Sequence, residues 1–121
     1  MNISKFTQKS VQAVQDLEKV AYEYGNQEVE QEHLLYALLT QEDSLILKLI
    51  EKMDINKDYF INVVKKALDA KVKVSGGDLR FGQYLNKSLV NAENEAKAMG
   101  DEYVSVEHLF LSLLTQPSPS M

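Results

Sequence analysis

The 121-residue sequence predicts an all-α domain built as a tandem helical repeat. Three observations carry that expectation. Apolar residues recur at spacings of three and four through most of the chain, which is the period of a helix face. Sliding the sequence against itself by 75 residues superimposes Phe6 on Phe81, Gly25 on Gly100 and Glu32-His33-Leu34 on Glu107-His108-Leu109. The single Lys-Val alternation, Lys71 to Val74, runs straight into Gly76-Gly77 and reads as an extended connector, one isolated strand at most.

Taken in order, a first helix is expected from Ser4 to Tyr24. Phe6, Ala13, Val14, Leu17, Val20, Ala21 and Tyr24 form its apolar face, and Gly25 stops it because glycine enters the left-handed conformation cheaply. After a short extended stretch around Val29 comes Glu32 to Thr40, apolar nearly all round. Its Leu/Ala/Glu content favours a buried helix over a strand. Ser44 caps a third helix through Met53, and Asn56 caps a fourth from Lys57 to Ala70. A fifth helix is expected from Arg80 or Phe81 to Met99, closed by Gly100. Ser105 caps a sixth, Val106 to Gln116, and Pro117 ends it.

Across positions 6–41 the 75-residue offset yields 13 identities. Chance would give roughly two, so the repeat is real. The chain therefore reads as a single domain over 1–121, with repeat one at 4–70, a linker at 71–79, a partial repeat two at 80–116 and a tail at 117–121. The same offset would carry a complete second unit to about residue 150, so the second repeat reads as truncated, lacking counterparts of helices three and four. The two units are expected to pack as a pseudo-two-fold pair, each covering the apolar face of the other.

Composition narrows the function. With 13 Lys+Arg against 18 Asp+Glu the net charge is −5, which disfavours nucleic acid as a partner, because phosphate neutralisation supplies most of that affinity. A DNA-binding helix-turn-helix also fails on the apolar second helix, which has no Arg or Lys to read bases. There is no Cys, hence no thiolate metal site, disulfide or Cys nucleophile. No apolar run approaches the roughly 20 residues of a membrane span, and the first residues lack the basic-then-apolar order of a signal peptide. A cytoplasmic domain without membrane contact is expected. No nucleophile–base pair suggests an enzyme. Gly25, Gly76, Gly77, Gly82 and Gly100 form no phosphate-binding Gly-x-x-x-x-Gly-Lys-Ser/Thr loop, so no nucleotide cofactor is expected here. The twinned Glu-His pairs have no two-ligand spacing on one helix face, and the duplication itself explains their recurrence. No metal site is expected, and the histidines read as packing residues with a ring nitrogen hydrogen-bonded.

Phe6-Thr7, the two Gly stops and the paired Glu-His-Leu signatures after Val29 and Val104 resemble the Clp N-terminal repeat domain, over the whole of 1–121. Within that family the second half is most similar to the ClpB disaggregases, through Gly77-Asp78, Gln83-Tyr84-Leu85 and the run from Met99 to Leu109. The resemblance implies a substrate-binding head module of a homohexameric AAA+ chaperone that acts with the DnaK system on unfolded or aggregated polypeptides. ATP and Mg would belong to the remainder of such a protein, and the 121-residue chain itself would be monomeric.

The resemblance also marks site candidates. Thr7, Asp101 and Glu107 fall where ClpB-like domains carry polar residues needed to engage substrate. Each also has a purely structural reading: Thr7 as a cap, Asp101 as turn chemistry, and Glu107 as a carboxylate favoured in a helix first turn. An apolar groove beside them would draw on Phe6, Phe81, Leu85, Leu89 and Phe110, although such residues are more often core. The rival within the family is the ClpC type, whose paired Glu residues bind phosphoarginine-marked proteins or adaptors. Glu32 and Glu107 would be the pair here. In that type Gly-Thr precedes each Glu-His, whereas this chain has Glu30-Gln31 and Ser105-Val106, and the extra carboxylate of Glu30 would repel a phosphate.

Overall fold

A computed structural model describes residues 3–74, 76–119 and 121; Ser75 of the expected linker and Ser120 of the tail lie outside the described residues. Six α-helices form: α1 (Gln8–Glu23), α2 (Gln31–Leu39), α3 (Leu45–Lys52), α4 (Lys57–Asp69), α5 (Gln83–Ala98) and α6 (Val106–Thr115). The caps read from sequence hold. The Ser44 side chain accepts from Leu47 N at 3.1 Å and the Asn56 side chain from Tyr59 N at 3.0 Å. Both glycine stops carry the positive φ that a closing turn needs, +70° at Gly25 and +75° at Gly100.

The starts of the two long helices differ from expectation. Ile3–Lys5 is a 3-10 turn, Phe6 is extended, and Thr7 caps α1 by accepting from Ser10 N at 3.2 Å. Arg80 and Phe81 are not the first turn of α5 but a short strand, β2 (Arg80–Phe81), paired in parallel with β1 (Glu28–Val29). Val29 meets Phe81 there. The counterpart pair under the 75-residue offset also meets, since Phe6 bridges Val104 in parallel. Each repeat thus lends the residue before its long helix to the residue before the other repeat's buried helix. Gly82 N–H donates to Val29 O at 2.8 Å and Thr7 N–H to Val104 O at 3.0 Å, the same bond twice. Gly82 shares the extended backbone of its twin Thr7, and a Cβ there would come close only to the carboxylate end of Glu28, at 2.8 Å from Oε1.

Around this exchange α1 packs on α2 and α5 on α6, with α2 at the centre touching α1, α3, α4, α5 and α6. Leu17, Leu34, Leu38, Ile46, Leu68, Leu85, Leu109 and Leu113 are sealed in one core shared by both repeats. The buried Gln31 amide joins the repeats by polar means. It donates to Ser88 Oγ at 2.7 Å and Gln116 O at 2.9 Å and accepts from Ser118 N at 2.7 Å, which ties the tail down.

The twinned histidines use both ring nitrogens. Glu30 N–H donates to His33 Nδ1 at 2.8 Å, so that nitrogen is unprotonated, and Nε2–H donates to Asn26 Oδ1 at 3.0 Å. In repeat two Ser105 N–H donates to His108 Nδ1 at 2.9 Å, and Nε2–H reaches Asp101 Oδ2 at 2.9 Å. Each imidazole therefore caps its helix and pins the preceding loop at once. Burial, and then the Lys71 ammonium, push His33 down to about 4.

That depression makes an acid-labile lock. In the unfolded chain the imidazole titrates near 6.5, so the stabilisation is complete above that pH. It is lost as pH falls towards about 4. We expect denaturant titrations to show on the order of 3 kcal/mol less stability near pH 4 than near pH 7 from this group. His33→Gln should be less stable at neutral pH and show a flatter acid limb. A variant limb as steep as that of the parent would show that His33 does not carry the effect.

A hydrophobic truncation tests the core. Leu68→Ala, at a fully buried position, should cost about 2–5 kcal/mol in the same titration.

Candidate functional site

The three polar candidates converge on one edge of the fold. Thr7 caps α1, Glu107 stands exposed in the first turn of α6, and Asp101 stands exposed in the loop between α5 and α6. The Phe6–Val104 bridge holds the starts of α1 and α6 side by side. The Thr7 hydroxyl donates to Ser10 Oγ at 2.9 Å, which donates to Val104 O at 2.8 Å, so Thr7 is wired into the crossing strand as well as its own helix. Asp101 has a structural duty through His108, while one face of its carboxylate stays open to solvent; its side chain is 48% exposed. Glu107 has only the favourable helix-end position that a first-turn carboxylate enjoys. Two helix N-termini and two carboxylates thus share one edge.

The apolar candidates are placed differently from the groove that sequence reasoning sketched. Phe6, Leu85, Leu89 and Phe110 belong to the buried core, and Phe81 is half-buried against it. They support the edge from beneath and offer it little surface. Apolar surface beside Thr7 and Val104 comes from Ile3 and Tyr103, both exposed. Sequence reasoning passed these two over. Tyr103 was legible as the outward neighbour of inward Val104 in an extended stretch, a signal of only two residues.

Glu32 and Glu107 are equivalent by repeat but not by environment. Glu32 is 4% exposed, and Lys71 Nζ sits 3.2 Å from its Oε2 and 2.7 Å from Glu30 Oε2. Burial works against the Lys71 ammonium, but the Glu30 hydrogen bond and the Glu32 charge outweigh it and hold its pKa above the ordinary lysine value. The place a guanidinium would take beside Glu32 is therefore filled by a side chain of the connector. Among the described residues no group of three or more His, Asp or Glu could hold a metal ion, and no helix is long and apolar enough to cross a membrane.

Comparison with known proteins gives the family. The Clp repeat (R) N-terminal domain matches residues 5–120. The chaperone protein ClpB of Nitratidesulfovibrio vulgaris is 38% identical over 126 aligned positions, covering 100% of this chain and 15% of that protein. ClpB of Clostridium tetani is 39% identical over 126 positions, with the same coverage of 100% and 15%. The chain thus spans about 15% of the length of these relatives. Among solved structures, the Hsp104 N-terminal domain from Candida albicans superposes with a TM-score of 0.85 at 20% identity, covering 93% of this chain and 75% of that one. The N-terminal domain of the ClpV1 ATPase from E. coli EAEC also gives 0.85, at 22% identity, covering 95% and 71%. A family match over residues 5–120, with relatives 38–39% identical along the whole chain, places this chain in the Clp N-terminal repeat-domain family.

Proposed function

We propose that the chain is the N-terminal polypeptide-binding module of a ClpB-type disaggregating chaperone. The observation that carries the reading is the 38–39% identity to ClpB proteins along the entire chain. The module does no chemistry. In the whole protein, ATP and Mg act in the AAA+ portion, the assembly is a homohexamer, and it works with the DnaK system on aggregated clients. The head's task is a transient grip, and the Thr7–Asp101–Glu107 edge suits one. Ile3 and Tyr103 offer modest apolar area to an unfolded segment, and the two carboxylates favour basic flanks. Because the edge is shallow and solvated, each contact is weak, and the client can pass on to a pore.

The phosphoarginine reading of Glu32 and Glu107 requires the Lys71 ammonium to be displaced from two carboxylates, at a site where Glu30 adds negative charge.

Substitutions at the edge separate grip from scaffold. Asp101→Asn keeps an acceptor for His108, as Asn26 does for His33, and should leave the melting temperature unchanged. Asp101→Ala strands the imidazole and should cost about 1 kcal/mol. In an NMR titration of the labelled domain with an unfolded model protein, shifts should cluster at Thr7, Asp101, Tyr103 and Glu107. Asp101→Asn and Glu107→Ala should each weaken that binding several-fold. Unchanged binding in both variants would remove the edge from the reading.

Titration with free phosphoarginine should produce no saturable shift at Glu32. A saturable one there and at Glu107 would move the assignment to the degron-binding type.

A further inference from the structure

The molecule already holds one extended peptide on an edge of this kind. In repeat one the connector Lys71-Val72-Lys73-Val74 lies across the turn that leads into α2. Lys71 Nζ bridges Glu30 and Glu32. Asn26 Nδ2–H donates to Val72 O at 3.0 Å, and Val74 N–H donates to Gly25 O at 2.8 Å. The stem of Lys73 rests on the glycine turn, its Cδ 3.7 Å from where a Cβ on Gly25 would stand, and its ammonium lies 5.3 Å from the centre of the Tyr24 ring.

The 75-residue offset carries this register to the Thr7 edge, where Gly25 becomes Gly100, Asn26 becomes Asp101 and Glu32 becomes Glu107. Nothing lies within 4 Å of a Cβ built on Gly100. Two replacements change what such an edge can hold. Asn26 gives an N–H to a carbonyl, whereas Asp101 has none and offers a charge. Tyr24, the seat of the second cation, becomes Met99, so that cation needs another partner. The neighbouring hydroxyls turn their protons inward: Thr7 donates to Ser10 Oγ, and Ser105 Oγ lies 2.9 Å from the unprotonated His108 Nδ1. Among the described residues no Lys or Arg, Lys5 included, pairs with Asp101 or Glu107.

We infer that this edge selects extended client segments with basic residues at alternate positions, Lys/Arg-x-Lys/Arg. The first cation sits on Glu107 as Lys71 sits on Glu32, the second lies over Gly100 with its charge on Asp101, and the next main-chain N–H donates to Gly100 O. The inference rests on the reading of this edge as the client site and adds the chemistry it reads.

The probe is the connector's own sequence in trans, an acetylated and amidated peptide of residues 70–74 titrated into the labelled 121-residue domain. Saturable shifts are expected at Gly100, Asp101 and Glu107. Little is expected at Gly25 and Glu32, where the tethered connector outcompetes a free copy. Exposed ion pairs are weak, so a peptide with Lys73→Met should bind about threefold less tightly. Asp101→Asn in the domain should weaken the parent peptide by about the same factor and leave the Lys73→Met peptide unchanged. A merely structural Asp101 would affect both peptides alike.

The inference is overturned if the parent peptide gives no saturable shift, if acetylating both its lysines leaves binding intact, or if Asp101→Asn weakens both peptides equally. It also falls if, in a longer piece of the same protein, these three residues are already shifted and the peptide no longer binds, since the chain's own continuation is then the occupant. An unfolded model protein that still shifts the edge after its lysines are acetylated leaves the client reading standing and removes the basic pair. No shift with any unfolded protein removes the reading itself.

Discussion

Everything in this domain is arranged around one reciprocal exchange. Phe6 of the first repeat pairs with Val104 of the second, and Phe81 of the second pairs with Val29 of the first. Neither repeat could make this contact alone, because in each the two residues stand on opposite sides of a long helix. The exchange fixes where α1 and α5 begin and where the chain enters α2 and α6. It also explains why a bundle of amphipathic helices contains any strand at all. The backbone groups of these four positions are buried at the junction of two units, and buried N–H and C=O groups must be paired. Helix geometry cannot pair them there, and a two-residue parallel ladder can.

The histidines convert the exchange into a rigid frame. A capping serine or aspartate satisfies one helix end; an imidazole with Nδ1 on the N-cap amide and Nε2 on a loop seven residues back satisfies an end and a loop together. The frame tolerates a change of partner, amide at Asn26 and carboxylate at Asp101, because either oxygen can accept the Nε2 proton. That tolerance lets the second repeat place a negative charge at its edge without rebuilding the loop. Asp101 is thus a scaffold residue by one oxygen and an open carboxylate by its surface.

How much of this was legible follows from how far apart the interacting residues lie. Caps at Ser44 and Asn56 and the stops at Gly25 and Gly100 depend on neighbours within a turn, and all four were read correctly. Phe6 and Phe81 were read as helix because their spacing fits the helical stripe that follows, and their true partners lie far along the chain. The tie between Lys71 and the Glu30/Glu32 pair was invisible for the same reason. Periodicity identified the apolar faces carrying Leu85, Leu89 and Phe110, but it cannot say whether another helix covers a face. These residues therefore read both as a groove and, more often, as core, and Leu85, Leu89 and Phe110 are core. The repeat, however, held the missing information: once residues are paired by the 75-residue offset, a buried position in one unit states what its twin lacks.

The internal symmetry separates what both units need from what only one of them has. Where both repeats keep the same residue in the same environment, as with His33 and His108, the position serves the fold. Where they keep the residue and change the environment, the difference traces to what packs on one unit and not on the other. Glu32 is buried on Lys71 while Glu107 faces water, and Leu39 is covered while Leu114 is not. Both departures fall on α6, along one stripe. An exposed leucine at the site of a buried twin gives up apolar burial of roughly 1.5–3 kcal/mol that the fold shows it can obtain. Tertiary packing within the described residues does not recover it. The asymmetry therefore marks the face of α6 where the 75-residue repeat calls for counterparts of α3 and α4, so an uncovered apolar twin reports the repeat's architecture before it reports a partner.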